Sequence, residues 1–137
     1  MPDSAIIYPA VALVLWTMSI SLLLVTIRFR LVRTHQVSPK YFKLNSGAKM
    51  PGYHTRIEQN YANLFEFPTL FYALIAVLLA SGMVDDVFIW MAWTYVVLRF
   101  VHSLIHTTYN HIIHRLIIFG TSCFLVVAMW IRLATVI

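Results

Sequence analysis

A chain of 137 residues, 61% hydrophobic and only 11% charged, lies far from the quarter charged that soluble domains carry. At a mean hydropathy of +0.79, so small a globule could not hide its apolar residues inside, which excludes an ordinary water-soluble domain and requires lipid over part of the surface. The formal charge of +5 would suggest nucleic acid in a soluble protein, whereas in a membrane protein basic residues often only fix topology.

From residue 5 to residue 27 no side chain is charged. At 1.5 Å per residue that run reaches about 34 Å, enough to cross a hydrocarbon core of about 30 Å. The preceding Met1-Pro2-Asp3-Ser4 lacks the basic start of a signal peptide, so the segment is expected to be retained as the first span. Further spans are predicted over 57–80, 87–106 and 114–133. Ser81-Gly82 with Asp85-Asp86 breaks the second from the third, and Tyr109-Asn110-His111 the third from the fourth. The fold class expected is all-α: a single four-helix transmembrane domain, 1–137.

The first connection, 28–56, holds Arg28, Arg30, Arg33, Lys40, Lys43, Lys49 and Arg56 and no acidic residue, while the second offers Asp85 and Asp86. The positive-inside rule then puts the first and third connections in the cytoplasm and both termini outside it. The same cations are suited to anionic lipid or an anionic ligand. A nucleic-acid partner is not expected, because no basic surface interleaved with aromatic residues lies outside the membrane. The single Cys123 excludes an intrachain disulfide framework or a multi-cysteine metal site and reads as a packing residue.

Ionisable side chains inside a bilayer need a partner or a wet cavity. On a helical wheel with Arg56 as zero, Gln59, Asn60, Asn63 and Glu66 fall at about 300°, 40°, 340° and 280°. Glu58 falls off that stripe at about 200° and is expected to be solvated. With Arg99 as zero, Tyr95, His102, His106 and Tyr109 fall at about 320°, 300°, 340° and 280°. Either the two stripes satisfy each other, Glu66 with Arg99 for instance, or they line a polar cavity with Arg115 at its mouth. Pro68 deprives the Leu64 carbonyl of its usual donor and is expected to kink the second helix, either framing the cavity or simply packing. His102, His106, His111 and His114 invite a haem or metal reading, but no carboxylate or cysteine nearby in sequence completes a ligand set, and no metal is predicted.

The stretch Arg56-Ile57-Glu58-Gln59-Asn60-Tyr61-Ala62-Asn63-Leu64-Phe65-Glu66-Phe67-Pro68, followed by Thr69-Leu70-Phe71-Tyr72, resembles the second-helix signature of the MAPEG family, the membrane-associated proteins in eicosanoid and glutathione metabolism. Arg99-Phe100-Val101-His102, His106, Tyr109-Asn110 and Arg115 are similar to its third-helix and fourth-helix-entry pattern, so the resemblance spans nearly the whole chain. It implies a homotrimer of four-helix bundles, glutathione as co-substrate in clefts near the cytoplasmic face, and a lipophilic substrate arriving from the bilayer. A bacterial-type member, and with it a bacterial inner membrane, is the variant it looks like.

Through the same resemblance, Arg56 and Asn60 match positions that hold glutathione in relatives and Arg99 a third-helix arginine at the site; the polar stripes add Asn63, Glu66 and His102 to the expected glutathione-binding residues, and His106 and Tyr109, each able to donate a hydrogen bond to the sulfur or the developing product charge, join Arg115 as the expected catalytic ones. Arg115 matches the arginine proposed to activate the thiol. In that register Asn60 is the family asparagine, so Asn63 occupies the place, three residues on, where glutathione-using relatives carry a glutamate. His106 stands where a site tyrosine is common. Guanidinium groups suit the two carboxylates of glutathione, and a nearby arginine favours the reactive thiolate. The expected function is a membrane-bound glutathione-dependent transferase or peroxidase. The alternatives are a non-catalytic scaffold or accessory subunit of the same fold, binding lipid or a partner membrane protein, and a haem- or metal-binding bundle.

Overall fold

The computed structural model describes residues 3–44, 47 and 49–136. A single 3-10 turn, Asp3–Ile6, leads into α1 (Ile7–Arg33); α2 (Tyr41–Leu44) is one turn in the basic connection; α3 (Gly52–Asn63), α4 (Phe67–Ser81), α5 (Asp86–Thr107) and α6 (Ile112–Val136) follow. Among the described residues four segments, with α3 and α4 counted together, are long and apolar enough to cross a membrane. Helices run past the limits of the apolar runs because those runs mark what lipid covers, whereas backbone hydrogen bonding continues into the polar ends.

Each helix buries one stripe. On α1 the buried positions are Pro9, Leu13, Thr17, Ile20, Leu24 and Leu31; on α4 they include Phe71, Leu74, Ile75 and Leu78; on α6 they are Ser122, Val126, Met129 and Leu133. These are the three- and four-residue steps of a single helical face. The opposite faces of α1 and α6 expose Leu15, Leu22, Phe29, Leu116, Phe124 and Ile131, which in a bilayer is the ordinary lipid-facing surface.

The central element is α5, with half of its apolar window buried (50%) against 22% for α1 and for α6. Its buried stripe runs Phe88, Ala92, Tyr95, Arg99, His102, His106. The first half of that face is hydrocarbon and aromatic, with Tyr95 stacked on Phe71 at 4.6 Å, and the second half is polar. One helix thus carries the core from an apolar end to a polar end, and the polar end is the one that bears the first and third connections.

The second span is two helices, not one kinked helix. Pro68 has no N–H, and the turn before it tightens: the Leu64 N–H reaches the carbonyls of Asn60 and Tyr61 at 3.1 Å each, and the Phe65 N–H that of Ala62 at 2.9 Å. The α-helix stops at Asn63 and restarts at Phe67 with proline in its first turn, where a missing N–H does no harm.

The turn after α4 uses Gly82 at φ 67°, a left-handed conformation that glycine adopts without a Cβ clash. Asp85 then caps α5, its Oδ1 accepting the Phe88 N–H at 2.8 Å, while its Oδ2 pairs with Arg132 of α6. At the other end α1 is tied to α3, because Arg28 pairs with Glu58 at 2.6 Å and its Nε donates to His54 at 3.4 Å. Glu58, expected to be merely solvated, therefore has a partner that lies outside its own helix and outside the wheel that placed it.

Candidate functional site

Where α3 ends, the tightened turn gives backbone donors to the carbonyls of Asn60, Tyr61 and Ala62 but none to that of Asn63, and such a group must find a partner elsewhere. Arg99 supplies one. Its side chain is 0% exposed, its Nη2 donates to the Asn63 carbonyl at 2.9 Å, and its Nη1 donates to Ser122 Oγ at 3.5 Å. The guanidinium carbon lies 5.5 Å from the centre of the Phe119 ring. A cation against a helix C-terminus and an aromatic face is favoured on both counts. Among the described residues Glu66 forms no ion pair; the Glu66–Arg99 pairing, one of the two readings of the stripes, gives way to a side chain to backbone bond.

In front of this buried bond lies a cavity of about 480 Å³, within the usual range for small-molecule sites. Helix α3 packs on α1 and α5, and α6 packs on α5 and α4; the hollow is bounded by α3 and the break on one side, α5 at the back and α6 on the other side. Its polar lining is Gln59, Asn63, Glu66, His102, His106 and Arg115, and its apolar lining is Ala62, Ile112, Leu116 and Phe119. Ile112 and Leu116 are 70% and 66% exposed, so the α6 wall also faces the surroundings of the bundle.

His102 and His106, one turn apart on α5, are each 2% exposed, with ring centres 5.6 Å apart. Neither nitrogen of either ring has a hydrogen-bond partner among the described residues. Buried polar atoms are almost always satisfied in native structures, and these four nitrogens beside the cavity depart from that rule. Arg115, half-buried, is held by a 3.0 Å bond from its Nη1 to Asn110 Oδ1. Asn110 itself sits at φ 50° in the short connection before α6, a conformation asparagine tolerates better than most residues.

The cavity therefore gathers Asn63, Glu66, His102, His106 and Arg115 from the expected site. It does not gather the other four. Arg56 donates from Nη1 to the Thr108 carbonyl at 2.9 Å, joining α3 to the end of α5. Asn60 is 0% exposed and donates from Nδ2 to Ser103 Oγ at 2.6 Å. Arg99 lies behind the lining. Tyr109 is 60% exposed and its hydroxyl meets His114 Nδ1 at 3.2 Å. Gln59, noted on the polar stripe, and Phe119 are added; a wheel drawn on the fourth helix from Arg115 would have found Phe119 one turn on. Among the described residues no three His, Cys, Asp or Glu side chains are placed to hold a metal ion.

The lining also changes the register of the signature. Asn63 and Glu66 stand three residues apart and both face the cavity, whereas Asn60 does not. An asparagine followed three residues later by a glutamate is thus present, one helical turn beyond the position at which Asn60 placed it.

Four apolar spans around a recess of small-molecule size, polar at one end of the bundle, define a polytopic helical membrane protein. The MAPEG family model matches residues 6–135, and the chain belongs to that family of membrane proteins of eicosanoid and glutathione metabolism. No curated protein and no solved structure matches the chain.

Proposed function

We propose that the protein is a membrane-bound glutathione-dependent transferase or peroxidase acting on a lipophilic electrophile or peroxide. The observation that carries the reading is the convergence, in one cavity, of a carboxylate, a guanidinium, two amides and two unpartnered imidazoles against an apolar wall. Glutathione offers one ammonium group, two carboxylates, two peptide groups and a thiol. Glu66 suits the ammonium, Gln59 and Asn63 the peptide groups, and Arg115 the sulfur as a thiolate.

In this mechanism the thiol gives up its proton as it binds beside Arg115, whose positive charge favours the anion. The thiolate attacks the electrophilic atom of a substrate admitted along Ile112 and Leu116, and the leaving group departs with the bonding pair. His106, with both ring nitrogens unpaired, takes the thiol proton or donates to the developing product charge. Asn60, Arg56 and Arg99 act as positioning residues: they join α3 to α5, and Arg99 fixes the carbonyl end that carries Asn63. The homotrimer, the bacterial inner membrane and the cytoplasmic placement of the basic connection belong to the same proposal, supported by the family and by the charge asymmetry.

The test is thiol conjugation to an aryl halide by the purified protein in detergent, wild type beside Arg115→Ala. The reading expects a wild-type rate above buffer and, on loss of one charge-stabilising donor, a fall in kcat on the order of a hundredfold. A wild-type rate equal to buffer would favour a non-catalytic membrane scaffold of the same fold.

A further inference from the structure

Away from the cavity, the end of α1 and the short helix α2 enclose a second hollow of about 370 Å³, lined by Val25, Arg28, Phe29, Val32, Pro39 and Phe42. On a wheel with Phe29 as zero, Val25 and Val32 fall at about 320° and 300°, one narrow apolar stripe, which Pro39 and Phe42 face from across the connection. Arg28 closes one side. Its guanidinium already has Glu58 at 2.6 Å, His54 at 3.4 Å and the Phe42 ring centre at 5.4 Å, so it is a wall of the groove and not a charge awaiting a partner.

Depth and charge say what fits. At 1.5 Å per residue α1 is about 40 Å long against a hydrocarbon core of about 30 Å, and its charge-free run ends at Ile27. The groove therefore straddles the level where acyl chains give way to headgroups. Arg33 falls at about 40° on the same wheel, flanking Phe29, while Lys40 follows Pro39 and Lys43 follows Phe42 in sequence. All three are exposed, and among the described residues none forms an ion pair. No acidic residue occurs anywhere in 28–56. A topology signal accounts for cations on this side of the membrane but not for an apolar slot beside them.

We infer that this groove binds an anionic phospholipid of the adjacent leaflet, with one acyl chain along Val25, Phe29 and Val32 and the phosphate among Arg33, Lys40 and Lys43. The test is native mass spectrometry of the full chain taken from nanodiscs of equal parts phosphatidylglycerol and phosphatidylcholine with identical acyl chains. Wild type is expected to retain phosphatidylglycerol preferentially, and Lys40→Gln with Lys43→Gln to reduce that preference by about fivefold for each lysine removed. Val32→Trp, which fills the slot, is expected to lower retention of both lipids. Equal retention of the two lipids by wild type would overturn the inference, as would undiminished preference in the double lysine variant. Because both lysines are exposed, that variant tests the charge requirement without touching the core.

Discussion

Arg99 and Asn63 are joined through the backbone: the Nη2 of a wholly buried guanidinium donates at 2.9 Å to the last carbonyl of α3. That bond places the helix break, and so the Asn63 side chain before it and the Glu66 side chain after it, relative to α5. The charge on Arg99 serves the shape of the cavity, while the charge on Arg115 faces into it.

If that is the role of Arg99, Arg99→Met weakens glutathione binding without removing any contact to the ligand. A hydrogen bond to a charged group is worth about 1.5–3 kcal/mol, which corresponds to an affinity loss on the order of tenfold or more if displacement of the break is transmitted in full. Arg99→Lys is expected to recover little, since a single ammonium lacks the planar fork that reaches both the Asn63 carbonyl and Ser122. Titration of glutathione alongside thermal unfolding checks this: an affinity unchanged in Arg99→Met contradicts it.

Asn60 and Asn63 are expected to separate. Asn60→Ala removes a buried amide and strands the Ser103 hydroxyl, costing about 1–3 kcal/mol of stability, with glutathione affinity following only as far as the fold loosens. Asn63→Ala is expected to leave thermal unfolding nearly unchanged and to raise the KM for glutathione. The two variants measured side by side, melting against kinetics, report which asparagine faces the ligand.

Much of this fold can be read from the chain. The charge-free run after Asp3 and the Gly82 and Asn110 breaks set the spans, and the polar stripe Arg99, His102, His106 identifies the working end of α5. What periodicity could not supply is which member of a stripe points into the cavity and which at a neighbouring helix. A wheel gives a direction from one axis, and Asn60 and Asn63, about 60° apart, fall on either side of the line between α5 and the cavity. The break at Pro68 also ends the wheel before Glu66, and the Asn63 carbonyl left without a backbone donor where α3 stops attracts Arg99 in a way no pattern of side chains records.

Pro68→Ala restores a donor for the Leu64 carbonyl and removes the ring that blocks a continuous helix. Stability is expected to hold or rise slightly, with more helical signal by circular dichroism, while conjugation activity falls because Glu66 turns away from Arg115. A variant with wild-type activity and higher helicity would show that the break is not needed to build the site.

At the far end of the bundle, burial pushes the Asp85 carboxyl upward, but the Phe88 N–H, the bond from Arg132 and the Arg132 charge outweigh it and hold the carboxyl below its ordinary value. A depressed folded-state pKa contributes stability that is fully present above the unfolded value of about 3.9 and is lost as pH falls through the folded one. Asp85→Asn is therefore expected to melt below wild type at neutral pH, and the gap to close as the solution is acidified through the carboxylate range. A gap independent of pH would mean that the ionised carboxylate contributes nothing there.

The central claim is that the recess bounded by α3, α5 and α6 holds glutathione, with Glu66 on its ammonium group. Calorimetric titration of glutathione into the detergent-solubilised protein, wild type beside Glu66→Gln, tests it most directly. The account predicts saturable heat at or below millimolar glutathione for wild type and clearly weaker binding for the variant; no heat at that concentration, or two identical isotherms, would contradict it.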